Sequence, residues 1–150
     1  MSDLYDTDTF TWAREQAALL RRLEAGEQVN DQIDWPNIIE EVETVGRSEL
    51  RAATSPLTNA MQHKLYLLGW PGHTSTRHWQ AEVTVQLVEA AGEFRESMRR
   101  AIEPDMDRLY RLAQVRAQRH MIDEAPPSVP VPDTCPWTLD ELLAEGRAAE

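Results

Sequence analysis

Apolar residues recur along this chain at intervals of three and four, the spacing that places side chains on one face of an α-helix. The first such segment begins at an N-cap on Thr7 or Asp8, runs to about Ala25 and ends at Gly26. Its apolar stripe consists of Phe10, Ala13, Ala17 and Leu20, widened by Trp12, Leu19 and Leu23. No long stretch alternates apolar and polar residues at period two, so the pattern predicts helices rather than strands.

A second helix is predicted to enter at Asp34-Trp35-Pro36, because the aspartate can accept backbone N–H bonds and a first-turn proline loses none. Its apolar face is formed by Ile38, Ile39, Val42 and Val45, and Gly46 predicts a break or kink. A third helix covers 47–68, where Pro56 predicts a kink or a restart. The residues expected to point inward from it are Leu50, Leu57, Met61, Leu65 and Leu68.

The second half of the chain predicts two more long helices and a short last one. The fourth covers 76–102, with a stripe of Trp79, Val83, Leu87, Ala91, Phe94, Met98 and Ile102. After a junction at Glu103-Pro104-Asp105, the fifth carries Met106, Leu109, Ala113 and Ala117. Residues 126–136 hold five of the nine prolines and predict an extended strap, followed by a short helix over 138–146 capped by Thr138. The pattern therefore predicts an all-α fold: one domain over 1–150, a helical bundle of four to five amphipathic helices.

Three segments of the chain resemble a bacterial family known as the twenty-ninth domain of unknown function. The first is Leu4-Tyr5-Asp6-Thr7-Asp8-Thr9-Phe10-Thr11-Trp12, and the second starts at Asp34-Trp35-Pro36-Asn37-Ile38 and continues to Glu49. The third is Cys135-Pro136-Trp137-Thr138-Leu139, ending at Leu142-Leu143. The resemblance spans nearly the whole chain and implies an all-α bundle, but it implies no activity.

The net charge of −11 is unevenly distributed along the chain. Residues 1–50 carry −8, residues 51–120 carry +3, and residues 121–150 carry −6. This distribution disfavours nucleic-acid binding through the whole surface, since phosphate contacts need local positive charge. The chain starts without a secretory signal and contains no apolar run of the ~20 residues that a membrane span needs, so we expect a cytoplasmic protein.

A metal site is the sharpest chemical hypothesis that the sequence allows. Glu40 and Glu43 lie on one helix face, and carboxylates of this kind ligate metals in bundle proteins. His63, His78 and His120 would form a facial set of ligands if their helices converged. No Glu-x-x-His motif accompanies them, so a solvated acidic face and packed or exposed histidines are the simpler interpretation.

Tryptophans and arginines supply candidates for partner binding. Trp35 and Trp79 fit core stripes, Trp137 is expected to anchor the strap, and Trp70 beside Pro71-Gly72 is expected to be exposed. The candidate interaction residues are Glu41, Arg47, Trp70, Arg111 and Arg116. Acidic residues interleave with the arginines of the fifth helix, which again disfavours nucleic acid.

The sequence lacks a Gly-rich phosphate loop, a Ser-His-Asp order and paired redox cysteines. Cys135 has no thiolate-stabilising neighbour except a helix start, and we expect a buried, inert thiol. We predict no catalytic residue and no cofactor, and we interpret the chain as a non-enzymatic helical interaction or regulatory module. It would bind a protein partner or self-associate, and the alternative is a bundle that binds a metal or small ligand, with enzymatic activity as one form of it.

Overall fold

The structure is a computed structural model that describes residues 3–150, and it resolves into two compact units, Met1–Arg47 and Ser48–Glu150. The first unit contains α1 (Asp3–Thr7), α2 (Thr9–Glu24), a 3₁₀ turn and the first part of α3 (Trp35–Gly69). The assignment of 1–150 to one domain stays a prediction.

The second unit contains the rest of α3 and four further helices. These are α4 (Thr76–Glu93), α5 (Arg99–Ile102), α6 (Met106–His120) and α7 (Leu139–Ala148), with 3₁₀ turns on either side of α5. Residues 3–150 contain no strand, and the predicted all-α helical bundle is confirmed.

The predicted start and end of the first long helix are confirmed. Asp8 caps α2 by accepting a hydrogen bond from the Thr11 backbone N–H at 3.0 Å. Gly26 follows the helix with φ +91°, a left-handed conformation that glycine adopts without steric cost.

The apolar stripes predicted in the first unit are only partly buried. Phe10 is 72% exposed and Val42 is 68% exposed, whereas the polar Gln16 is buried beside Trp12. Trp35, predicted to lie in the core, is 38% exposed. The buried residues of α2 are instead Trp12, at one edge of the predicted stripe, and Gln16, so the rest of that stripe stays partly or fully exposed.

The helix α3 is continuous from Trp35 to Gly69, so the break predicted at Gly46 and the restart predicted at Pro56 are wrong, while a kink at either residue stays a prediction. Gly46 lies on an exposed stretch with open space around it. Pro56 is buried inside the helix. Packing of its ring and its neighbours in the core offsets the one backbone hydrogen bond that proline cannot donate.

The fourth predicted helix is shorter than expected, since α4 ends at Glu93 and does not reach residue 102. Phe94 takes an extended conformation with ψ 136° and is buried. The Arg95 guanidinium donates to the carbonyl oxygens of Gly92 at 2.7 Å and Phe94 at 3.0 Å. Arg95 thus satisfies helix-end carbonyls that have no partner within the helix.

The core of the second unit lies between α3, α4, α6 and α7. Its largest fully buried side chains include Leu57, Met61, Tyr66, Tyr110 and Leu142. The predicted inward residues of α6 are all buried, but Leu68 of α3, also predicted to point inward, is 39% exposed. The packing of α4 on α7 is close, because Gly146 lies directly against the Leu87 carbonyl.

The proline-rich strap and the last helix are confirmed. Tyr110 Oη and Gln114 Nε2 donate to the Pro132 carbonyl at 2.6 and 2.9 Å and hold the strap against α6. Thr138 begins α7 with a reciprocal capping box to Glu141. Trp137 is half-buried, with the Lys64 ammonium 5.5 Å from its ring centroid and Lys64 Nζ 2.7 Å from Glu145.

Candidate functional site

An apolar groove runs between α2 and the first part of α3 in the first unit. It has a volume of about 350 Å³. The residues that form most of its walls are Ala13, Ala17 and Leu20 on α2 and Ile38, Val42 and Val45 on α3. Val42 and Val45 are 68% and 64% exposed. Amphipathic helices bind apolar surface of this kind in other proteins, which makes the groove a candidate binding surface.

Hydrogen bonds around Asp34 fix one end of this groove. Asp34 accepts bonds from Trp12 Nε1 at 3.0 Å and from Asn37 Nδ2 at 2.8 Å, while its own backbone N–H donates to Gln16 Oε1 at 2.8 Å. The bond from Asn37, helped by the bond from Trp12, lowers the pKa of the Asp34 carboxyl against the opposing effect of burial. The network ties α2 to the start of α3.

Glu41 is the charged side chain among those that line the groove. Its Oε1 accepts a hydrogen bond from the Tyr5 hydroxyl at 2.7 Å, and this bond raises the pKa of Tyr5. Tyr5 also packs edge-on against Trp12, with ring centroids 4.7 Å apart. Glu41, a predicted interaction residue, is therefore held at the groove by a hydrogen bond.

The acidic residues predicted as metal ligands form exposed ion pairs instead. Arg47 lies 2.6 Å from Glu40 and 3.6 Å from Glu43. All three side chains are about half exposed, where such pairs contribute roughly 0–1 kcal/mol. In the part of the chain that the structure describes, no three His, Cys, Asp or Glu side chains stand close enough together to hold a metal ion.

The histidines, in contrast, come together in the second unit. All four histidines of the chain line one cavity of about 410 Å³: His63 from α3, His73 from the following loop, His78 from α4 and His120 from the end of α6. Glu124 also lines it. The sequence named three of these histidines as candidate ligands, whereas the five-residue spacing of His73 and His78 across a loop-to-helix junction gave only a weak metal signal.

Hydrogen bonds define the tautomers of two of these rings. His63 Nδ1 lies 2.8 Å from the Asn59 carbonyl oxygen, so this nitrogen carries the proton. His73 Nδ1 accepts the Ser75 backbone N–H at 3.0 Å, which places the His73 proton on Nε2, 3.5 Å from Glu124 Oε2. His73 also stacks on Trp79, with ring centroids 4.6 Å apart.

Tyr66 forms the aromatic centre of the same cavity. Its ring centroid lies 5.3 Å from that of His63, 5.5 Å from that of His120 and 5.1 Å from that of Trp79. Tyr66 is buried, and its hydroxyl accepts a hydrogen bond from Gln62. Burial raises the pKa of the Tyr66 phenol, so Tyr66 lines the cavity as a neutral phenol rather than as a charged phenolate.

Trp70 is not the exposed ring that the sequence predicted. It is partly buried against the core, and its indole N–H donates to the Ala125 carbonyl at 2.7 Å. A second cavity of about 380 Å³ lies beside it, under the strap, and is also lined by Leu65, Met121 and Val131. Trp70 thus holds the start of the strap.

Two of the arginines predicted to form a basic surface, Arg108 and Arg99, pair with acidic residues of the chain. Arg108 pairs with Asp105, and Arg99 pairs with Glu96 and with Asp140. Arg116 donates weakly to Asn59, at 3.3 Å, and Arg111 is exposed.

No helix of residues 3–150 is long and apolar enough to cross a membrane.

Cys135 is partly buried beside the core. Burial raises the pKa of its thiol, and its Sγ lies 3.2 Å from the Trp137 carbonyl oxygen, as a donating S–H would. A protonated thiol is a poor nucleophile and a poor metal ligand. Cys135 is thus partly buried rather than fully buried as predicted, and its inertness stays a prediction.

Comparison with known proteins identifies relatives without a known activity. The family described as "Domain of unknown function DUF29" matches residues 4–147. A crystal structure of an α-helical protein of unknown function from Rhodospirillum rubrum superposes with a TM-score of 0.67 at 27% identity, covering 97% of this chain and 94% of that one. No curated protein sequence matches the chain.

Proposed function

Since this chain belongs to the DUF29 family, which has no described activity, we propose a function from its surfaces: it is a non-enzymatic protein-interaction module. Its first unit binds a basic amphipathic helix of a partner protein in the groove between α2 and α3. The observation that carries this proposal is the open apolar groove lined by Val42 and Val45.

Covering the apolar side chains of the groove with the partner helix would supply the binding free energy. Val42 and Val45 each keep about two thirds of their surface in water, and covering such a side chain yields about 1 kcal/mol. Amphipathic helices bind grooves of this type through apolar residues spaced three and four apart.

The charge of the first unit supports a basic partner. Residues 1–47 carry eleven acidic and four basic side chains, a net charge of −7. Two copies of so acidic a surface repel each other, whereas a helix with lysine or arginine beside its apolar stripe is attracted. Charge complementarity therefore favours a partner protein over a second copy.

The proposal is tested with two synthetic helical peptides that share one leucine stripe, one with arginines and one with glutamates beside it. Fluorescence anisotropy measures their binding to the wild type, to Val42→Glu and to Val85→Glu. Val85 is a matched control, an exposed valine on α4 in the second unit. We expect the basic peptide to bind the wild type and Val85→Glu alike, more weakly at high salt, and at least tenfold more weakly to Val42→Glu.

Binding of the basic peptide that survives Val42→Glu, or no binding at all, would overturn the proposal. Sedimentation analysis of the three proteins without peptide tests whether a second copy of the chain occupies the groove instead. A dimer that Val42→Glu dissociates and Val85→Glu preserves would show that a second copy fills the groove, and the partner assigned here would then be wrong.

A further inference from the structure

We propose that the cavity under the proline-rich strap binds a small aromatic amine, whose ring enters the cavity and whose ammonium group stays at the rim. This strap cavity has a volume of about 380 Å³ and is lined by residues of α3, of α6 and of the strap. Ligand sites in proteins are commonly cavities of roughly 300–1,000 Å³ with mostly apolar walls and a few polar groups. The strap cavity belongs to the second unit and shares no residue with the groove between α2 and α3, so it goes beyond the interaction function.

The walls of the strap cavity are apolar. Leu65, Ala117 and Met121 are buried, and Trp70 and Val131 are partly buried beside them. Aromatic rings pack favourably on a tryptophan ring and on a methionine sulfur. Burial of their surface adds about 25 cal/mol per Å² of apolar area. These walls therefore suit the ring of a small aromatic molecule.

The strap is held in place at three positions, so the cavity exists before a ligand arrives. The Trp70 indole N–H donates to the Ala125 carbonyl, and the Ser128 backbone N–H donates to the Gly69 carbonyl at 2.8 Å. Farther along the strap, the Pro132 carbonyl accepts the two hydrogen bonds from α6. The two prolines between Ala125 and Ser128 also line the cavity, and their rings fix the backbone φ. A preformed site loses less conformational freedom on binding than a mobile one does.

Both charged side chains that line the strap cavity are acidic. Glu124 follows α6 and Asp133 lies in the strap, and both are exposed at the rim. Within residues 3–150, the Asp133 carboxylate has neither a hydrogen bond nor an ion pair, and no lysine or arginine lines the cavity. Glu124 lies 3.5 Å from His73, a ring that is charged only when protonated. An ammonium group at the rim would be attracted by two carboxylates, whereas an anionic group would be repelled.

The test is isothermal titration of the full chain with three probes that share an indole ring and differ in charge. Tryptamine is a cation at neutral pH, 3-methylindole is neutral and indole-3-acetate is an anion. We expect one tryptamine per chain, bound more tightly than 3-methylindole and at least fivefold more tightly than indole-3-acetate. High salt should reduce the preference for tryptamine, because ions screen charges at an exposed rim.

Variants at the rim separate the contribution of charge from that of the apolar walls. Asp133→Asn and Glu124→Gln should each weaken tryptamine binding about threefold and leave 3-methylindole binding unchanged. Asp123→Asn is the matched control, because Asp123 is an exposed acidic residue next to the cavity lining that does not belong to it. It should bind tryptamine as the wild type does.

Ala117→Leu tests the cavity itself, because the larger side chain would take up the space of the aromatic ring. We expect this substitution to weaken the binding of tryptamine and of 3-methylindole at least tenfold. Far-ultraviolet circular dichroism verifies the fold of each variant. If Ala117→Leu unfolds the chain, the exposed Glu124 and Asp133 still decide the test, and amide shifts of Met121 and Val131 in NMR spectra locate the probe.

No tryptamine binding at millimolar concentration would overturn the proposal. Equal binding of tryptamine and indole-3-acetate would also overturn it, as would tryptamine binding unchanged in both Asp133→Asn and Glu124→Gln. Tryptamine binding that Val42→Glu abolishes would place the probe in the groove between α2 and α3, and the strap cavity would then be the wrong site.

Discussion

Gly146 shows how a single hydrogen atom in place of a side chain can position two helices. A Cβ added at this residue would lie 2.1 Å from the Leu87 carbonyl oxygen and 3.2 Å from the Ala91 Cβ. The first distance is shorter than any real contact, and the atom it meets belongs to the backbone of α4, which cannot turn aside. The packing of α7 on α4 therefore depends on glycine at this position.

Gly146→Ala should lower the free energy of unfolding by about 1–3 kcal/mol through overpacking, although alanine is the better helix former by about 1 kcal/mol. Gly92→Ala, on α4 with open space around it, should raise that free energy by about 0.5–1 kcal/mol. Urea denaturation of both variants measures the difference. If both substitutions changed the free energy of unfolding in the same direction, the close approach of Gly146 to the Leu87 carbonyl would be contradicted.

The sequence could not distinguish these two glycines. The last helix was predicted over 138–146, yet α7 continues to Ala148, and Gly146 lies inside it against α4. What decides its role is Leu87, 59 positions away in the chain, and no local pattern reports such a neighbour.

At the scale of the helices, the hydrogen bonds of Asp34 join α2 to the start of α3. Its pKa is lowered mainly by the bond from Asn37. A carboxyl with a lowered folded pKa stabilises the fold above its unfolded pKa of about 3.9, and this contribution is lost as the pH falls through the folded value.

Asn37→Ala should raise the pKa of Asp34 toward its usual range and reduce the loss of stability in acid. Carbon NMR of the Asp34 carboxyl during a pH titration measures this shift directly. Asn30→Ala is the control, because Asn30 bonds to Trp35 and not to Asp34. An Asp34 midpoint that is the same in wild type and Asn37→Ala would refute the assigned cause.

Element starts were predictable where the signal is local. Asp8 and Thr138 cap their helices as their positions in the sequence indicate, since a cap needs only residues three positions ahead. Element ends were less predictable. The chain passes Gly46 without a break but turns at Phe94, where burial of the ring and the bonds from Arg95 favour an extended residue.

At the scale of the whole molecule, the boundary between the two compact units falls inside α3, between Arg47 and Ser48. Helix formation is cooperative, so unfolding of one unit would leave the part of α3 in the other unit with a new, frayed end. This continuity favours the prediction that 1–150 is a single domain.

We expect one unfolding transition in urea, with the same midpoint for helix content and for hydrogen exchange at amides near Trp12 in the first unit and Trp79 in the second. Coincident midpoints are the test of two-state unfolding. Two separated midpoints would divide the chain into two domains and would contradict the single-domain prediction.

Both candidate sites lie beyond what helical periodicity can predict. Val42 and Val45 are on the predicted apolar face, but periodicity does not tell a face buried in the core from one left open. The gathering of His63, His78 and His120 required the path of three helices, and Glu40 and Glu43, which had the better spacing, pair with Arg47 instead.

Lys64 is the one lysine beside fourteen arginines, and its ammonium is occupied by Glu145 and the face of Trp137. Only 16% of its side chain is exposed. Any acetyl group or ubiquitin-like tag aimed at a lysine side chain has this single acceptor, and attaching it would remove the ion pair that connects α3 with α7. Arginine elsewhere keeps the surface charged while leaving it almost without amines to modify.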